Sequence, residues 1–219
     1  LRTDHQLSVD LRRKVALFCN VEPDAVIQSI DVPSIYEVPL KMQEQKLDEI
    51  VLRKTGMEIG PRPELKPWRE FLAHMQNAKD TVRIGLVGKY VELQDAYKSI
   101  NEALFQAATY NNRKLDLQYI HSEKLTESNV EEKLSSMDGL IIAPGFGQRG
   151  VEGKFVALKY AREHDMPTFG ICLGMQCMVI EYARDVLGYK DANSTEMDVN
   201  TPHNVIDLME SQKCISNMG

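Results

Sequence analysis

The strongest chemical pattern in the chain is a cysteine set between two glycines, GICLGMQ at residues 170–176. An apolar run precedes Cys172 and a helical pattern follows it, which predicts a sharp turn from a strand into a helix. This is the G-x-C-x-G form of a nucleophile elbow. Glycines suit a turn where backbone passes close by, and free N–H groups at the helix start favour the thiolate, the nucleophilic form of cysteine. A buried structural cysteine is the alternative, and the flanking glycines favour the nucleophile.

A second glycine-rich segment, APGFGQRG at residues 143–150, follows the preceding predicted strand. Loops at the carboxyl ends of parallel strands face one crevice, so this loop is expected to lie beside the elbow. Acyl transfer needs N–H donors aimed at a developing oxyanion, and Gly145 and Leu173 are the predicted donors. A plain turn or a phosphate loop is the alternative, although the chain contains no G-x-x-x-x-G-K-[ST] pattern.

The sequence does not identify a general base. A cysteine that attacks an amide needs a histidine oriented by a carboxylate. We expect none of the histidines to serve, although a loop position leaves His203 open. The histidines are His5, His74, His121, His164 and His203.

Composition excludes several classes of protein. The 219 residues carry a formal net charge of −6, so a nucleic-acid partner is not expected. No apolar run approaches the roughly 20 residues of a membrane helix. The cysteines are widely scattered, which argues against a disulfide framework or a zinc site and favours a reducing compartment. They are Cys19, Cys172, Cys177 (expected in the core) and Cys214.

Three segments follow one another along the chain. Residues 1–44 resemble the end of a larger domain, with short buried strands expected at 15–18 and 26–30. A helix is predicted at 41–55. Residues 45–80 are interpreted as a linker, because three prolines and two glycines at 56–67 break regular structure.

Residues 81–219 alternate strand and helix patterns. The predicted fold class is α/β, a mostly parallel sheet with helices on both faces. Strands are predicted at 82–88, 115–120, 139–143 and 167–171. In the helix after Cys172, the residues expected to face inward are Met175, Met178, Val179, Tyr182 and Val186.

These motifs together resemble a known family. The elbow resembles that of class I, triad-type, glutamine amidotransferases. More specifically, several segments resemble the CTP synthase family in that family's order. They are ALFCNV at 16–21, DVPSIY at 31–36, GKYVELQDAYKS at 88–99, GFGQRGVEG at 145–153 and ANSTE at 192–196.

The resemblance implies a ligase that aminates UTP to CTP, using ATP, magnesium and ammonia released from glutamine. It implies Cys172 as nucleophile and Gly145 and Leu173 as oxyanion hole. Glutamine would be held by Gly145, Leu173, Gly174, Met175, Gln176 and Glu196. The implied nucleotide contacts are Lys14, Asp31 and Val32, with Arg2 nearby, and no metal ligand is assigned. The implied protein is a cytoplasmic homotetramer that can extend into filaments.

The family's remaining machinery is expected outside residues 1–219. Its phosphate-binding loop and magnesium carboxylates would precede Leu1, and its His-x-Glu pair would follow Gly219. We therefore expect a central piece that is inactive, or nearly so, by itself. The alternatives are a non-catalytic binding or assembly module, and another Cys-elbow hydrolase. Several such hydrolases place histidine directly after the nucleophile, where this chain has Leu173.

Overall fold

The computed structural model describes residues 1–93 and 95–209. The chain divides into two compact units, Leu1–Gln76 and Asn77–Gly219. Cys214 and the strand end expected at 215–219 lie outside the described residues. No helix in the described ranges is both long and apolar enough to cross a lipid bilayer.

Residues 1–76 are all described, and this first unit is mainly helical. Its elements in chain order are β1 (Arg2–Thr3), α1 (Val9–Cys19), β2 (Ser29–Ile30), α2 (Val38–Glu44), α3 (Leu47–Thr55) and α4 (Lys66–Asn77). The two strands pair in parallel. Ser8 begins α1, because its side chain accepts a hydrogen bond from the Leu11 N–H.

Two expectations for the first unit are wrong. The strand expected at 15–18 is part of α1, and Leu17 and Phe18 are 80% and 88% exposed. A four-residue apolar run is ambiguous between strand and buried helix, and here the cap at Ser8 places it in a helix. The helix expected at 41–55 is two helices, broken next to Lys46, whose φ is +59°.

The described part of the second unit alternates strands and helices, as predicted. The elements are β3 (Asp80–Gly88), α5 (Lys98–Tyr110), β4 (Arg113–His121), α6 (Val130–Leu134), β5 (Gly139–Ile142), α7 (Val151–Glu163), β6 (Thr168–Gly170), α8 (Leu173–Asp185), β7 (Ala192–Ser194) and β8 (His203–Ile206). Four strands form one parallel sheet in the order β4-β3-β5-β6. The predicted α/β class is confirmed.

The centre of this sheet is buried on both faces, whereas its edge strands β4 and β6 are partly exposed, with Tyr119 at 42% and Phe169 at 63%. Alternate residues of a strand point to opposite faces. Leu140 and Ile142 accordingly join the core formed with α7 and α8. Ile141 and Ala143 join the second core, against which residues of α5 pack.

The predicted inward face of α8 is wrong. Met175, Val179, Tyr182 and Val186 are 39–50% exposed, and Met178 is only partly buried. The buried side chains of this helix are Leu173, Cys177, Ile180, Glu181 and Ala183. Apolar residues lie on both sides of α8, so periodicity alone could not select the face. The close packing of the first helical turn onto β5 selects it.

Candidate active site

Cys172 occupies a sharp turn between β6 and α8. Its backbone has φ +52° and ψ −111°, a conformation that residues with a Cβ rarely adopt. The turn is closed by the Gly174 N–H, which donates to the Ile171 carbonyl at 2.8 Å, and by the Gln176 N–H, which donates to the Cys172 carbonyl at 3.1 Å. Cys172 is exposed and unpaired. The thiol is therefore presented to solvent at the start of a helix.

The two flanking glycines are required by close backbone contacts. A Cβ at Gly170 would lie 2.5 Å from the Met175 nitrogen. A Cβ at Gly174 would lie 2.1 Å from the Ile142 carbonyl oxygen. Both distances are far below van der Waals contact, so the G-x-C-x-G pattern follows from the tightness of this turn.

The glycine-rich loop at 143–150 meets the elbow at Gly145. The loop follows β5, and the elbow follows the neighbouring strand β6. A Cβ at Gly145 would lie 3.9 Å from the Leu173 Cδ2 atom. The two residues predicted to supply the oxyanion donors are thus adjacent in the structure.

Two buried lysines with no role predicted from the sequence hold this loop. Lys89, directly after β3, donates from Nζ to the Phe146 carbonyl. Lys154 of α7 donates from Nζ to the Ala143 carbonyl at 2.7 Å. The sequence does contain a pattern that could have identified Lys154. Its spacing places it on the same helical face as Val151 and Leu158, so a charged residue lies among predicted core positions.

Burial controls the ionisation of two groups beneath the elbow. It lowers the pKa of the Lys154 ammonium, while nearby Cys177 and Cys172 act in the opposite direction and Lys89 lowers this pKa further. Burial also raises the pKa of Cys177 to about 11. Cys177 is fully buried, as expected for a core residue. At neutral pH this second thiol stays protonated.

The residues predicted to hold glutamine surround the elbow. Leu173 and Gly174 are buried and Met175 is exposed. The Gln176 Oε1 atom is buried and has no hydrogen-bond partner among the described residues, so it is available to a ligand.

Glu196 lies in the turn after β7 and is exposed. Its N–H donates to the Ser194 Oγ at 3.2 Å. Gln148 of the glycine-rich loop donates from Nε2 to the Met197 carbonyl at 2.6 Å. This bond ties the turn that carries Glu196 to the loop that carries Gly145.

One histidine has the spacing of a base and its carboxylate, in the triplet His121-Ser122-Glu123. The geometry opposes that role. His121 ends β4, three strands from β6, which corresponds to about 14 Å at ordinary strand spacing. Its Nδ1 accepts from the Glu123 N–H, while the Glu123 carboxylate pairs with Arg149 at 2.8 Å.

The other two histidines of the described second unit have aromatic partners. His164 stacks on Tyr160 with ring centroids 4.0 Å apart, and its Nδ1 contacts the Tyr160 carbonyl. His203 stacks on Tyr189 at 4.7 Å. We assign the base to neither of these histidines.

The nucleotide candidates lie in the first unit. Lys14 is exposed on α1, and Val32 is partly buried. Asp31 follows β2 and forms an exposed ion pair with Arg2 of β1, a neighbour through the parallel strand register. Within residues 1–93 and 95–209, no three His, Cys, Asp or Glu side chains are grouped to hold a metal ion.

Two family models match the chain. The model for glutamine amidotransferase class-I covers residues 92–215, and the model for the CTP synthase N-terminus covers residues 1–57. Since the first match spans more than half of the chain, the protein belongs to the class-I glutamine amidotransferase family.

Over its whole length the chain is similar to CTP synthase. It is 66% identical over 219 residues to CTP synthase of Porphyromonas gingivalis and 65% identical to that of Bacteroides fragilis. It is 56% identical over 218 residues to that of Flavobacterium johnsoniae. In each case all of this chain aligns with 41% of the relative, so the chain spans about two fifths of those proteins.

A solved structure is similar to part of the chain. It is the glutaminase domain of Trypanosoma brucei CTPS with bound acivicin, and its TM-score is 0.57 at 38% identity. The match covers 60% of this chain and 52% of that domain's chain.

Proposed function

We propose that this chain carries the ammonia-releasing cysteine of a glutamine-dependent CTP synthase. In that reaction Cys172 frees ammonia from glutamine, and the ammonia aminates UTP at the expense of ATP. The observation that carries the proposal is the exposed thiol at the strained elbow, where the next residue, Leu173, packs beside Gly145. Similarity to CTP synthases over all 219 residues supports the choice of acceptor.

The proposed chemistry begins with attack of the Cys172 thiolate on the side-chain carboxamide carbon of glutamine. The carbon–sulfur bond forms, the carbon–nitrogen bond breaks, and the nitrogen leaves as ammonia after gaining a proton. Water then cleaves the thioester, which releases glutamate and restores the thiol. The N–H groups of Gly145 and Leu173 would stabilise the oxyanion of each step, and one such donor contributes about 3 kcal/mol in comparable sites.

Substrate recognition is proposed for side chains around the elbow. The unpartnered Oε1 atom of Gln176 can accept a hydrogen bond from glutamine. Glu196 supplies a carboxylate for the substrate's α-ammonium group, and the Gln148–Met197 bond keeps its turn close to the oxyanion loop. Gly174 and Met175 complete the binding surface.

The first unit is proposed to belong to the nucleotide-binding part of the enzyme. We propose residues 1–44 as the end of the synthase domain, 45–80 as linker and 81–219 as the amidotransferase domain. Lys14 would face UTP or CTP phosphates, and Asp31 and Val32 would lie near ATP. No residue of this chain is assigned to magnesium.

The cellular location and the oligomeric state are proposed from the free cysteines and from the resemblance to CTP synthases. The three described cysteines are all free, which fits a reducing compartment such as the cytoplasm. The resemblance to CTP synthases favours a homotetramer.

Labelling with acivicin tests the glutaminase proposal. Thiolate attack on its ring carbon expels chloride, so Cys172 should gain the mass of acivicin less HCl, and free glutamine should protect it. Cys19 is the matched control, since it is also exposed but lies outside any such site. We expect Cys172 to react at least about tenfold faster than Cys19. Equal rates, or no labelling of a folded protein, would favour the non-catalytic binding module instead.

The CTP-forming activity is tested in the full gene product that contains this sequence. Cys172→Ala should abolish CTP formation from glutamine and leave formation from added ammonium chloride intact. Loss of both activities in a folded variant, or no CTP formation by the wild type, would contradict the assignment.

A further inference from the structure

Lys154 is the bulkiest of the fully buried side chains in the described residues, with 1% of its surface exposed. Burying an ammonium group is costly unless its donors are satisfied. Nζ has three donors, and its one hydrogen bond within the described residues goes to the Ala143 carbonyl at 2.7 Å. An apolar side chain of the same length would fill this position at a smaller cost. Packing therefore does not explain a lysine here.

The accepting carbonyl lies where the oxyanion loop begins. Ala143 directly follows β5, and the next residue, Pro144, has no N–H with which to anchor the loop. Gly145 then adds backbone freedom, because it lacks a Cβ. On the far side of Gly145, Lys89 holds the Phe146 carbonyl. Lys154 and Lys89 therefore donate hydrogen bonds to the carbonyls of Ala143 and Phe146, which flank the Pro144–Gly145 dipeptide.

The same ammonium lies close to the nucleophile. Cys172 and Cys177 are both near enough to Lys154 to interact with it electrostatically, as is Lys89. The loop anchor and the positive charge beneath the elbow are thus one side chain.

We infer that Lys154 is the positioning residue of the oxyanion loop: by holding the Ala143 carbonyl, it aims the Gly145 N–H at the carboxamide oxygen of glutamine. The inference rests on the proposed glutaminase function for its substrate. The anchoring of the loop can be measured without that function.

Lys154→Met tests the inference, with Lys159→Met as the matched control. Lys159 is on the same helix but pairs with Glu127 at 3.9 Å. Hydrogen exchange of the peptide at 143–150 is measured first, since it needs no substrate. We expect Lys154→Met to speed exchange there about tenfold or more, while Lys159→Met leaves it unchanged.

The second readout is the ratio of two alkylation rates at Cys172. Attack on acivicin develops negative charge on its ring nitrogen, which the oxyanion donors would stabilise, whereas iodoacetamide loses iodide without using them. Lys154→Met should lower the acivicin-to-iodoacetamide ratio about 10- to 100-fold, and Lys159→Met should not. A role confined to stability would leave this ratio unchanged in the folded fraction.

The outcomes separate the two proposals. If Lys154→Met does not fold, Lys154→Gln, which keeps an N–H donor without charge, replaces it and should show smaller changes in both readouts. Unchanged loop exchange together with an unchanged ratio in the folded variant overturns the inference. A wild type that acivicin does not label refutes the glutaminase proposal, and loop exchange alone then decides whether Lys154 anchors the loop.

Discussion

The backbone of Cys172 predicts an unusual response to glycine. With φ +52° and ψ −111°, this residue lies where a Cβ is crowded and glycine is not. Cys172→Gly and Cys172→Ala both remove the exposed sulfur, so their difference isolates the backbone conformation. We expect the glycine variant to be the more stable of the two.

The expected magnitude follows from two opposing effects. Holding a non-glycine residue in such a conformation costs about 1–3 kcal/mol. Glycine in turn lowers the free energy of unfolding by about 0.4–1 kcal/mol, because the unfolded chain has more conformations to lose at a glycine. The net gain of Cys172→Gly over Cys172→Ala is therefore about 0.5–2 kcal/mol, which for a domain of this size raises Tm by roughly 2–6 °C.

Thermal unfolding followed by far-UV circular dichroism measures this difference. The chain has one tryptophan, Trp68, in the first unit, so its fluorescence follows that unit separately. Cys19 provides a control of opposite sign. It is also exposed but is the last residue of α1, where glycine should be less stable than alanine by up to about 1 kcal/mol.

The refuting result is a glycine variant at Cys172 that melts no higher than the alanine variant. Because the Cys19 pair would validate the assay, that result would mean the elbow is not strained. The structural basis for a presented nucleophile would then fail.

Three further predictions concern the packing and charges around the elbow. Gly174→Ala should lower the free energy of unfolding by about 3 kcal/mol or more, because its Cβ would lie 2.1 Å from the Ile142 carbonyl oxygen. Gly60→Ala is the control: a Cβ at Gly60 would have nothing within 4 Å, so the free energy of unfolding should change by less than about 0.5 kcal/mol. Iodoacetamide at pH 8 should leave Cys177 unmodified in the folded protein, since burial raises its pKa to about 11, and mass spectrometry showing rapid modification would contradict this. The wild type should gain stability relative to Lys154→Met as pH rises toward 10.5. Burial lowers the pKa of the ammonium below that value, so the folded state loses the proton first and the cost of burying the charge disappears. Urea titrations test this, and a difference in the free energy of unfolding between the two proteins that is the same at pH 7 and pH 10 would refute it.

Much of the second unit was predictable because its determinants are local. The strands of the sheet are short apolar or alternating runs, and each is followed by a helical pattern, which leads to a parallel sheet with helices on both faces. The elbow was predictable for a similar reason. The contact that requires Gly170 is made within five residues, with Met175.

Where local patterns were ambiguous, the predictions were wrong. Residues 15–18 suit a strand as well as a helix, and only the cap at Ser8 and the length of α1 separate the two. In α8, apolar residues on two sides allow either face to be buried. The approach of Gly174 to Ile142 sets the rotation of this helix, and those residues are 32 positions apart.

The amino-acid sequence alone determined the chemistry available to this protein: a thiol between glycines, a glycine-rich loop and the order of the strands that carry them. Only the tertiary structure decided which charged groups support them. Lys89 reaches a carbonyl 57 residues away and Gln148 one 49 residues away, across crossovers between strands. Lys154 is buried against the start of the loop because α7 packs on the same sheet face as α8. The helical pattern of α7 marks Lys154 as a core position, but the partners of Lys154, Lys89 and Gln148 depend on how whole elements pack.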